Sequence, residues 1–216
     1  MLNIKSLLAD IFISILMFFS TIILCIKLAI NFRPLFYYDI NYLNIPKHAN
    51  MTVTDIKKNY YYLINFLNSI HPTNFSLPTL PSSAHGTIHF FDVYYLINTL
   101  TNFLYVAILI IIISTFIFFK HKKLNFLKYS GILLVIFPFL LTPFYFLNFD
   151  SFFNRMHEMI FHNNYWLFDP YQDPVILMLP EQFFFHCFIL ILILIVLFGV
   201  LLLITYRQLK KNFNAL

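Results

Sequence analysis

Histidines are the residues of this chain whose type and spacing best fit catalysis. Six of the eight lie in two stretches between long apolar runs: His48, His71, His85, His89, His157 and His162. His85 and His89 are four residues apart and share one face of a helix, and Asp92 follows where its carboxylate can hydrogen-bond a ring nitrogen of His89. His157 lies on a comparable helix face in the second stretch. Because imidazole exchanges protons near neutral pH, the pattern indicates general acid–base catalysis.

A metal centre is the alternative use of these histidines. The H-x-x-x-H spacing of His85 and His89, completed by His157 or Asp92, could hold zinc. The H-E-x-x-H motif is absent, because Phe161 stands at the fourth position after His157. The other three histidines of these stretches are expected to be hydrogen-bonded surface groups at a membrane boundary.

Composition excludes several classes of protein. The 216 residues are 60% hydrophobic and only 11% charged, so a water-soluble globule would lack the polar surface to cover itself. The three glycines stand singly, which excludes Gly-rich phosphate loops and the nucleophile elbow of serine hydrolases. The two cysteines lie in apolar runs and offer no disulfide framework. No cofactor is expected.

Four apolar stretches are long enough to cross a bilayer as helices. They run from Ile11 to Ile30, Leu100 to Phe119, Tyr129 to Phe149 and Phe183 to Tyr206. Pro138 and Pro143 predict a kink in the third. Lys and Arg are concentrated at both termini and between the second and third stretches, which predicts cytoplasmic termini. The net charge of +5 therefore reflects membrane topology, and no nucleic acid partner is expected.

The two outer stretches must position the histidines. In the first, apolar residues at helical spacing from Ile56 to Ile70 predict an amphipathic helix capped by Thr54 or Asp55. A further helix is expected to start near Ser83 and to run directly into the second span. The second outer stretch is predicted to form a short helix, to turn at Asp169-Pro170 and to re-enter the membrane after Pro180-Glu181.

Charged residues of the second outer stretch receive separate expectations. Asp150, Arg155 and Asp173 are expected to be solvated. Glu181 stands at a membrane boundary, where a carboxylate is costly unless it caps the following helix or is paired. Trp166 is expected in the aromatic belt or the core.

The fold class predicted from these features is an all-α membrane protein with four transmembrane helices and an extracellular cap between the first and second spans. The predicted parts are a cytoplasmic N-terminus with the first span (1–31), the cap (32–99), the second and third spans (100–149), a second extracellular segment (150–182), and the fourth span with a basic cytoplasmic tail (183–216).

Several motifs resemble those of a known family. They are H-F-F-D-V at His89–Val93, R-M-H-E-M-I-F from Arg155, W-x-F-D-P at Trp166–Pro170 and L-P-E-Q-F-F at Leu179–Phe184. With the four spans and the outer cap, they make the whole chain resemble the lipoprotein intramolecular transacylases of low-GC Gram-positive bacteria. The chain departs from the family pattern at Ser83-Ala84-His85-Gly86, where charged residues are typical, and this leaves the role of His85 open.

The resemblance implies a bacterial cell-membrane enzyme that moves the sn-2 acyl chain of a diacylglyceryl lipoprotein onto the α-amino group of its N-terminal cysteine. It implies that His89 and His157 are catalytic, and we expect His157 to act as base and His89, oriented by Asp92, as the second group. The supporting residues expected beside them are Asp92, His85, Arg155, Trp166, Asp169 and Glu181. The expected partners are the diacylated lipoprotein and membrane lipid, and the expected state is a monomer.

Two non-enzymatic alternatives remain at this point. A small transporter would carry ionisable residues at mid-bilayer, but the predicted spans contain almost none, and Lys27 is close enough to a span end to snorkel. A membrane scaffold would tolerate the loss of both histidines in every functional assay.

Overall fold

The computed structural model describes residues 4–215, without the side chains of residues 5, 6, 142–147 and 215. Within that range the chain is helical and contains no strand. The helices are α1 (Ile4–Asn31), α2 (Arg33–Tyr42), α3 (Ile45–Ala49), α4 (Val53–Leu67), α5 (Ala84–Lys120), α6 (Asn125–Leu147), α7 (Phe149–Ile160), α8 (Val175–Met178) and α9 (Glu181–Ala215).

Three helices of the described residues are long and apolar enough to cross a membrane. They include Leu7–Asn31, Ala84–Lys120 and Glu181–Asn214. The third predicted span corresponds to α6, whose described apolar part, Asn125–Leu141, is shorter. The helix runs through Pro138 without a break, and the side chain of Pro143 lies outside the described residues. The prediction of a membrane protein is thus confirmed, whereas the count of four spans stays a prediction.

Helix α5 contains 37 residues and is therefore about 55 Å long. A bilayer core of about 30 Å needs only some 20 of them. The apolar stretch from Leu100 to Phe119 is sufficient for this. The earlier turns of α5 carry His85, His89 and Asp92, and we treat them as lying outside the membrane-spanning segment.

The chain forms two compact units. The first comprises Met1–Lys27, Leu100–Pro143 and Leu190–Leu216. In it α6 and α9 approach closely at two glycines, since a Cβ on Gly131 would lie 2.9 Å from the carbonyl oxygen of Gly199. Small residues permit this backbone contact between apolar helices. A buried hydroxyl adds a polar contact, since Ser14 Oγ donates to the Asp10 carbonyl oxygen at 2.6 Å and also lies 3.2 Å from the Phe126 carbonyl oxygen.

The second unit comprises Leu28–Thr99 and Phe144–Ile189 and holds every histidine of the two outer stretches. Its core is rich in aromatic residues. The rings of Phe36 and Tyr60 stack at 3.7 Å between centroids, and Phe183 packs edge-on against Phe36 at 5.1 Å. This core joins α2 and α4 to the start of α9.

Helix α4 is the amphipathic helix that the sequence predicts, and its apolar face is buried in the core of the second unit. The predicted cap is wrong. The helix begins at Val53, and the Thr52 hydroxyl accepts the backbone N–H of Asp55 at 3.1 Å while donating to the Asp55 carboxylate at 2.7 Å. Thr52 is therefore the N-cap residue, and its hydroxyl fixes the start of the helix at Val53. The helix ends at Leu67, so Ile70 lies beyond it and is exposed.

Candidate active site

His89 of α5 and His157 of α7 lie side by side in the second unit. Their ring centroids are 6.0 Å apart and the ring planes are inclined by 39°. Both side chains are buried, with 6% and 9% of their surface exposed. The structure therefore brings together the two histidines that the sequence selects, although 67 residues separate them in the chain.

Helix α7 holds His157 in a defined orientation. The side chain of Asn148 caps the helix by accepting the Ser151 N–H at 3.0 Å. One turn before the end of the helix, His157 Nδ1 lies 2.8 Å from the carbonyl oxygen of Phe153. A carbonyl oxygen only accepts, so Nδ1 carries the proton and donates it. In the neutral ring Nε2 therefore keeps its lone pair and can accept a proton from a substrate.

His89 has a different environment. Its Nδ1 is buried and has no hydrogen-bond partner among the described residues. Burial, together with the neighbouring His157, lowers the pKa of His89 to about 4, although the Asp92 carboxylate opposes this shift. Burial also lowers the pKa of His157, but the Phe153 carbonyl stabilises its charged form and raises it in part. Both rings are neutral at pH 7, and His157 has the better support for a positive charge.

Aromatic rings enclose the pair. Phe161 lies 5.0 Å from His89 and 5.7 Å from His157, and Trp166 lies 4.9 Å from His157. Phe168 packs edge-on against His89 at 5.4 Å. Such an enclosure keeps water from the two imidazoles and strengthens electrostatic interactions inside it. The expectation that Trp166 lies in a belt or core is met, since its ring forms part of this wall.

Asp173 is a structural residue that the sequence does not reveal. We expected it to be solvated, and this is wrong because only 4% of its surface is exposed. Its carboxylate accepts the Ser83 N–H and the Ser83 hydroxyl, both at 2.7 Å. The Ser83 hydroxyl in turn accepts the Gly86 N–H at 2.9 Å. Asp173 thus fixes the first turn of α5, the helix that carries His89.

Gly86 is explained by the same contact. A Cβ at this position would overlap the Asp173 carboxylate. The absence of a side chain therefore allows the carboxylate to reach Ser83. The sequence D-P-Y-Q-D-P predicts a turn at this place. It does not indicate that its second aspartate, Asp173, contacts the start of α5.

Asn163 joins two predicted site residues. Its amide donates to Asp92 Oδ2 at 3.0 Å, and its backbone carbonyl accepts the indole N–H of Trp166 at 3.0 Å. The predicted hydrogen bond from His89 to Asp92 is wrong, since His89 Nδ1 has no partner among the described residues and Asp92 Oδ2 accepts the Asn163 amide. Asp92 acts on His89 through its charge alone. Asn163 is not among the site residues that the sequence predicts. The one signal in the sequence is the pair of adjacent asparagines between a helix and a turn.

His85 stands apart from the pair. It is exposed and stacks on Tyr165, with 4.2 Å between ring centroids and 18° between planes. Within the described part of the chain, no three His, Cys, Asp or Glu side chains are grouped so as to hold a metal ion. The zinc ligand set of His85, His89 and His157 is therefore not assembled.

The remaining predicted supporting residues do not touch the two rings. Arg155 is exposed and makes no hydrogen bond or ion pair with another described residue. The Asp169 carboxylate accepts the Tyr171 N–H at 3.0 Å, and its carbonyl accepts the Asp173 N–H at 2.7 Å, so it shapes the turn that places Asp173. Glu181 is exposed in the first turn of α9, where the helix dipole stabilises a negative charge.

A histidine–carboxylate pair joins α2 to α9. Asp39 is completely buried, and His186 Nδ1 donates to its two oxygens, which lie at 2.8 and 3.0 Å. The ring of Tyr42 lies 5.8 Å from that of His186. His186 lies three residues inside the predicted last span, which begins at Phe183, and nothing in the sequence indicates its partner.

Comparisons with known proteins agree on one family. The family model described as "Lipoprotein intramolecular transacylase Lit" matches residues 11–184. A solved structure of the membrane integral lipoprotein intramolecular transacylase Lit from Bacillus cereus is similar to this chain, with a TM-score of 0.93, 37% identity and 97% of each chain covered.

Two further structures of that Bacillus cereus protein each carry one histidine substitution. The variant with arginine has a TM-score of 0.87 and 36% identity, covering 96% of this chain and 93% of that one. The variant with alanine has a TM-score of 0.88 and 36% identity, covering 97% and 95%. A comparison with curated protein sequences found no match.

Proposed function

The chain belongs to the lipoprotein intramolecular transacylase family, and from that premise we propose the reaction and the residues that carry it. The reaction is transfer of the sn-2 acyl chain of a diacylglyceryl lipoprotein to the α-amino group of its N-terminal cysteine. The observation that supports it best is the buried pair of neutral histidines 6.0 Å apart. Two such groups suit a reaction that removes one proton and returns another.

The atoms of the reaction balance without a further reactant. The amine nitrogen attacks the ester carbonyl carbon, and a C–N bond forms while the ester C–O bond breaks. One proton leaves the nitrogen, and one proton joins the departing glyceryl oxygen. Because ester and amine belong to one molecule, holding them in contact supplies about 7–11 kcal/mol in favourable cases. No serine or cysteine nucleophile is required.

His157 is the proposed base. Its Nε2 keeps a lone pair because Nδ1 donates to the Phe153 carbonyl, and that carbonyl stabilises the imidazolium once a proton is taken. A reference pKa of about 7.7–8.0 for an α-amino group lies close enough to that of imidazole for transfer near neutral pH.

His89 is the proposed partner for the reacting oxygen. Its neutral ring carries one N–H, which can donate a hydrogen bond to the tetrahedral oxygen, and the proton that His157 removes from the amine then passes to the departing oxygen. The aromatic wall of Phe161, Trp166 and Phe168 would keep water from the acyl group, which favours attack by the amine over hydrolysis.

The membrane arrangement is part of the proposal. Four spans would place both termini in the cytoplasm and residues 32–99 and 150–182 at the outer face, with boundaries as predicted for the five parts. The basic residues between α5 and α6 and those of the C-terminal tail support this orientation. The diacylated lipoprotein would then meet the histidine pair at the outer face of the membrane.

The test is to replace each histidine in the full chain. We expect His157→Gln and His89→Gln each to slow acyl transfer within a synthetic diacylglyceryl peptide by 100-fold or more, since general acid–base catalysis contributes about 10²–10⁴-fold. The matched control is His48→Gln, because His48 is an exposed histidine on α3. Mass spectrometry of the peptide reports the position of the acyl chain. Near-normal transfer by folded His157→Gln protein would refute the assignment.

A further inference from the structure

An open pocket of about 230 Å³ lies beside the histidine pair. Its wall includes Asp92 and Tyr95 of α5 and Phe161, His162 and Asn163 from the segment after α7. The ring of Phe161 also contacts both His89 and His157. The pocket and the histidine pair therefore share a wall.

Asp92 gives this pocket its chemical character. Of the residues that line it, Asp92 alone is acidic. One carboxylate oxygen accepts the Asn163 amide at 3.0 Å, and no lysine or arginine pairs with the carboxylate within the described residues. A carboxylate with an open oxygen in a partly apolar pocket favours a cation that can donate hydrogen bonds.

A buried nitrogen without a hydrogen-bond partner lies close to this pocket. One helical turn before Asp92, His89 is more than nine-tenths buried, and its Nδ1 has no partner among the residues described. Buried polar nitrogens are nearly always satisfied in folded proteins. His89 does not line the pocket, but its ring packs on Phe161, which does, so a polar group bound at Asp92 lies close to a nitrogen that has no partner.

We propose that this pocket binds the α-ammonium group of the lipoprotein's N-terminal cysteine before the acyl transfer. The inference rests on the proposed function and adds a subsite to it. Asp92 is the charge partner of the ammonium group. Asn163 is a positioning residue, since its amide holds one oxygen of Asp92 while its side-chain oxygen accepts the Tyr165 N–H at 3.0 Å.

The subsite separates binding from chemistry. The ammonium group binds at Asp92 with its charge intact. It then moves about one helical turn into the aromatic enclosure, where burial disfavours the charged form and a proton passes from nitrogen to a histidine. No other bond changes in this step. After transfer the nitrogen is an uncharged amide and loses its attraction to Asp92, which favours product release.

Binding of unreactive analogues tests the subsite apart from turnover. The first probe is a dialkylglyceryl-cysteinyl-serine, in which ethers replace both esters and the amine is free. The second is the same molecule with its amine acetylated. Calorimetry on the full chain in lipid nanodiscs measures both affinities. We expect the free amine to bind the unaltered protein about tenfold more tightly or better, as a charge-assisted hydrogen bond requires. Equal affinities would overturn the proposal without any variant.

Variants then assign the preference to Asp92. Asp92→Asn should lose about tenfold in affinity for the free amine and leave the acetylated probe unchanged. Asp92→Glu should keep the preference. The matched control is Glu158→Gln, which removes an exposed acid next to His157 and should change neither affinity. If folded Asp92→Asn protein loses affinity for both probes equally, Asp92 has only a structural role, and the proposal is contradicted.

Turnover separates the two proposals. Failure of the proposed function would appear as no acyl transfer by the unaltered protein, whatever the probes do. Failure of the subsite would appear as normal transfer without a preference for the free amine. If both hold, Asp92→Asn should raise KM about tenfold with little change in kcat, since ammonium binding precedes the chemical step.

Discussion

The Phe153 carbonyl oxygen and His157 Nδ1 are 2.8 Å apart, and this one contact decides which nitrogen of His157 is free. The carbonyl fixes the proton on Nδ1 and leaves Nε2 as the acceptor. Phe153 and His157 are four residues apart on α7, so the helix itself supplies the orientation. The ring therefore needs no carboxylate to fix its tautomer.

This contact predicts how His157 titrates. Burial lowers its pKa more than the Phe153 carbonyl raises it, so the midpoint lies below 6.5. Nitrogen NMR of ¹⁵N-histidine protein, assigned with His157→Gln, should show a neutral ring protonated at Nδ1 at pH 7. Exposed His48 serves as the reference in the same sample. A His157 midpoint at or above 6.5, or a proton on Nε2, would contradict the proposed base.

The same shift has a consequence for folding stability. When the folded-state pKa of a histidine is lowered, the unfolded chain binds more protons than the folded chain below pH 6.5. A fall in pH therefore favours unfolding. His89 and His157 both behave in this way. Their joint contribution is therefore present above pH 6.5 and is lost as the pH falls towards the folded-state values. Thermal unfolding of the unaltered protein should lose more stability between pH 6.5 and 5 than that of the doubly substituted His89→Gln, His157→Gln protein.

Gly86→Ala tests the contact between Asp173 and α5. The added methyl group would displace the Asp173 carboxylate and cost about 1–3 kcal/mol of unfolding free energy, the scale of a lost buried hydrogen bond or of overpacking. Acyl transfer should also fall, because the turn before His89 moves. Thermal unfolding and transfer rates measure the two effects. Ile88→Ala, at an exposed position in the same turn, is the control. Equal stability of the two variants would show that Asp173 does not fix this turn.

The pair of Asp39 and His186 predicts a strong effect on stability. His186→Ala would leave a fully buried carboxylate without its donor, at a cost of about 1–3 kcal/mol. Asp39→Asn should cost less, because a neutral amide replaces the charge. In the double variant the effects should not add, since each substitution removes the same contact. Thermal unfolding of the four proteins measures the coupling, and additive effects would argue against the contact.

Membrane orientation can be tested by labelling. The positions are exposed His162, in the second outer segment, and exposed Lys122, between α5 and α6. Each is replaced by cysteine in a background with Cys25→Ala and Cys187→Ala, because both native cysteines are free thiols. A membrane-impermeant maleimide should label intact cells at position 162 and should label position 122 only after lysis. The reverse pattern would invert the proposed topology.

The sequence predicts the helical elements well because their signals are local. The apolar face of α4 follows from the spacing of Ile56, Tyr60 and Leu63, and all three are buried. The predicted cap lies two or three residues too late, since the Thr52 hydroxyl, and not Thr54 or Asp55, accepts the first free backbone N–H of the helix. The direct run of the α5 helix from Ala84 into its apolar stretch is also as predicted.

The contacts around the site are less accessible to sequence reasoning. Helical spacing predicts a hydrogen bond between Asp92 and His89, because both lie on one face of α5. In the structure Asp92 accepts the amide of Asn163, which belongs to another segment. Asp173 was expected in water, and its burial depends on Ser83, 90 residues away. Helical spacing states which residues share a face, but it cannot state which distant segment packs there.

The residue order alone determined that this chain is an apolar, helical membrane protein, because composition and hydrophobic length are sums over neighbouring residues. It also selected His89 and His157, since their types fit proton transfer and their motifs resemble a family. Only the tertiary structure decided that these rings meet at 6.0 Å and that Asp173 and Asn163 hold the surrounding segments. Those contacts join residues far apart in the chain, and packing rather than local pattern sets them.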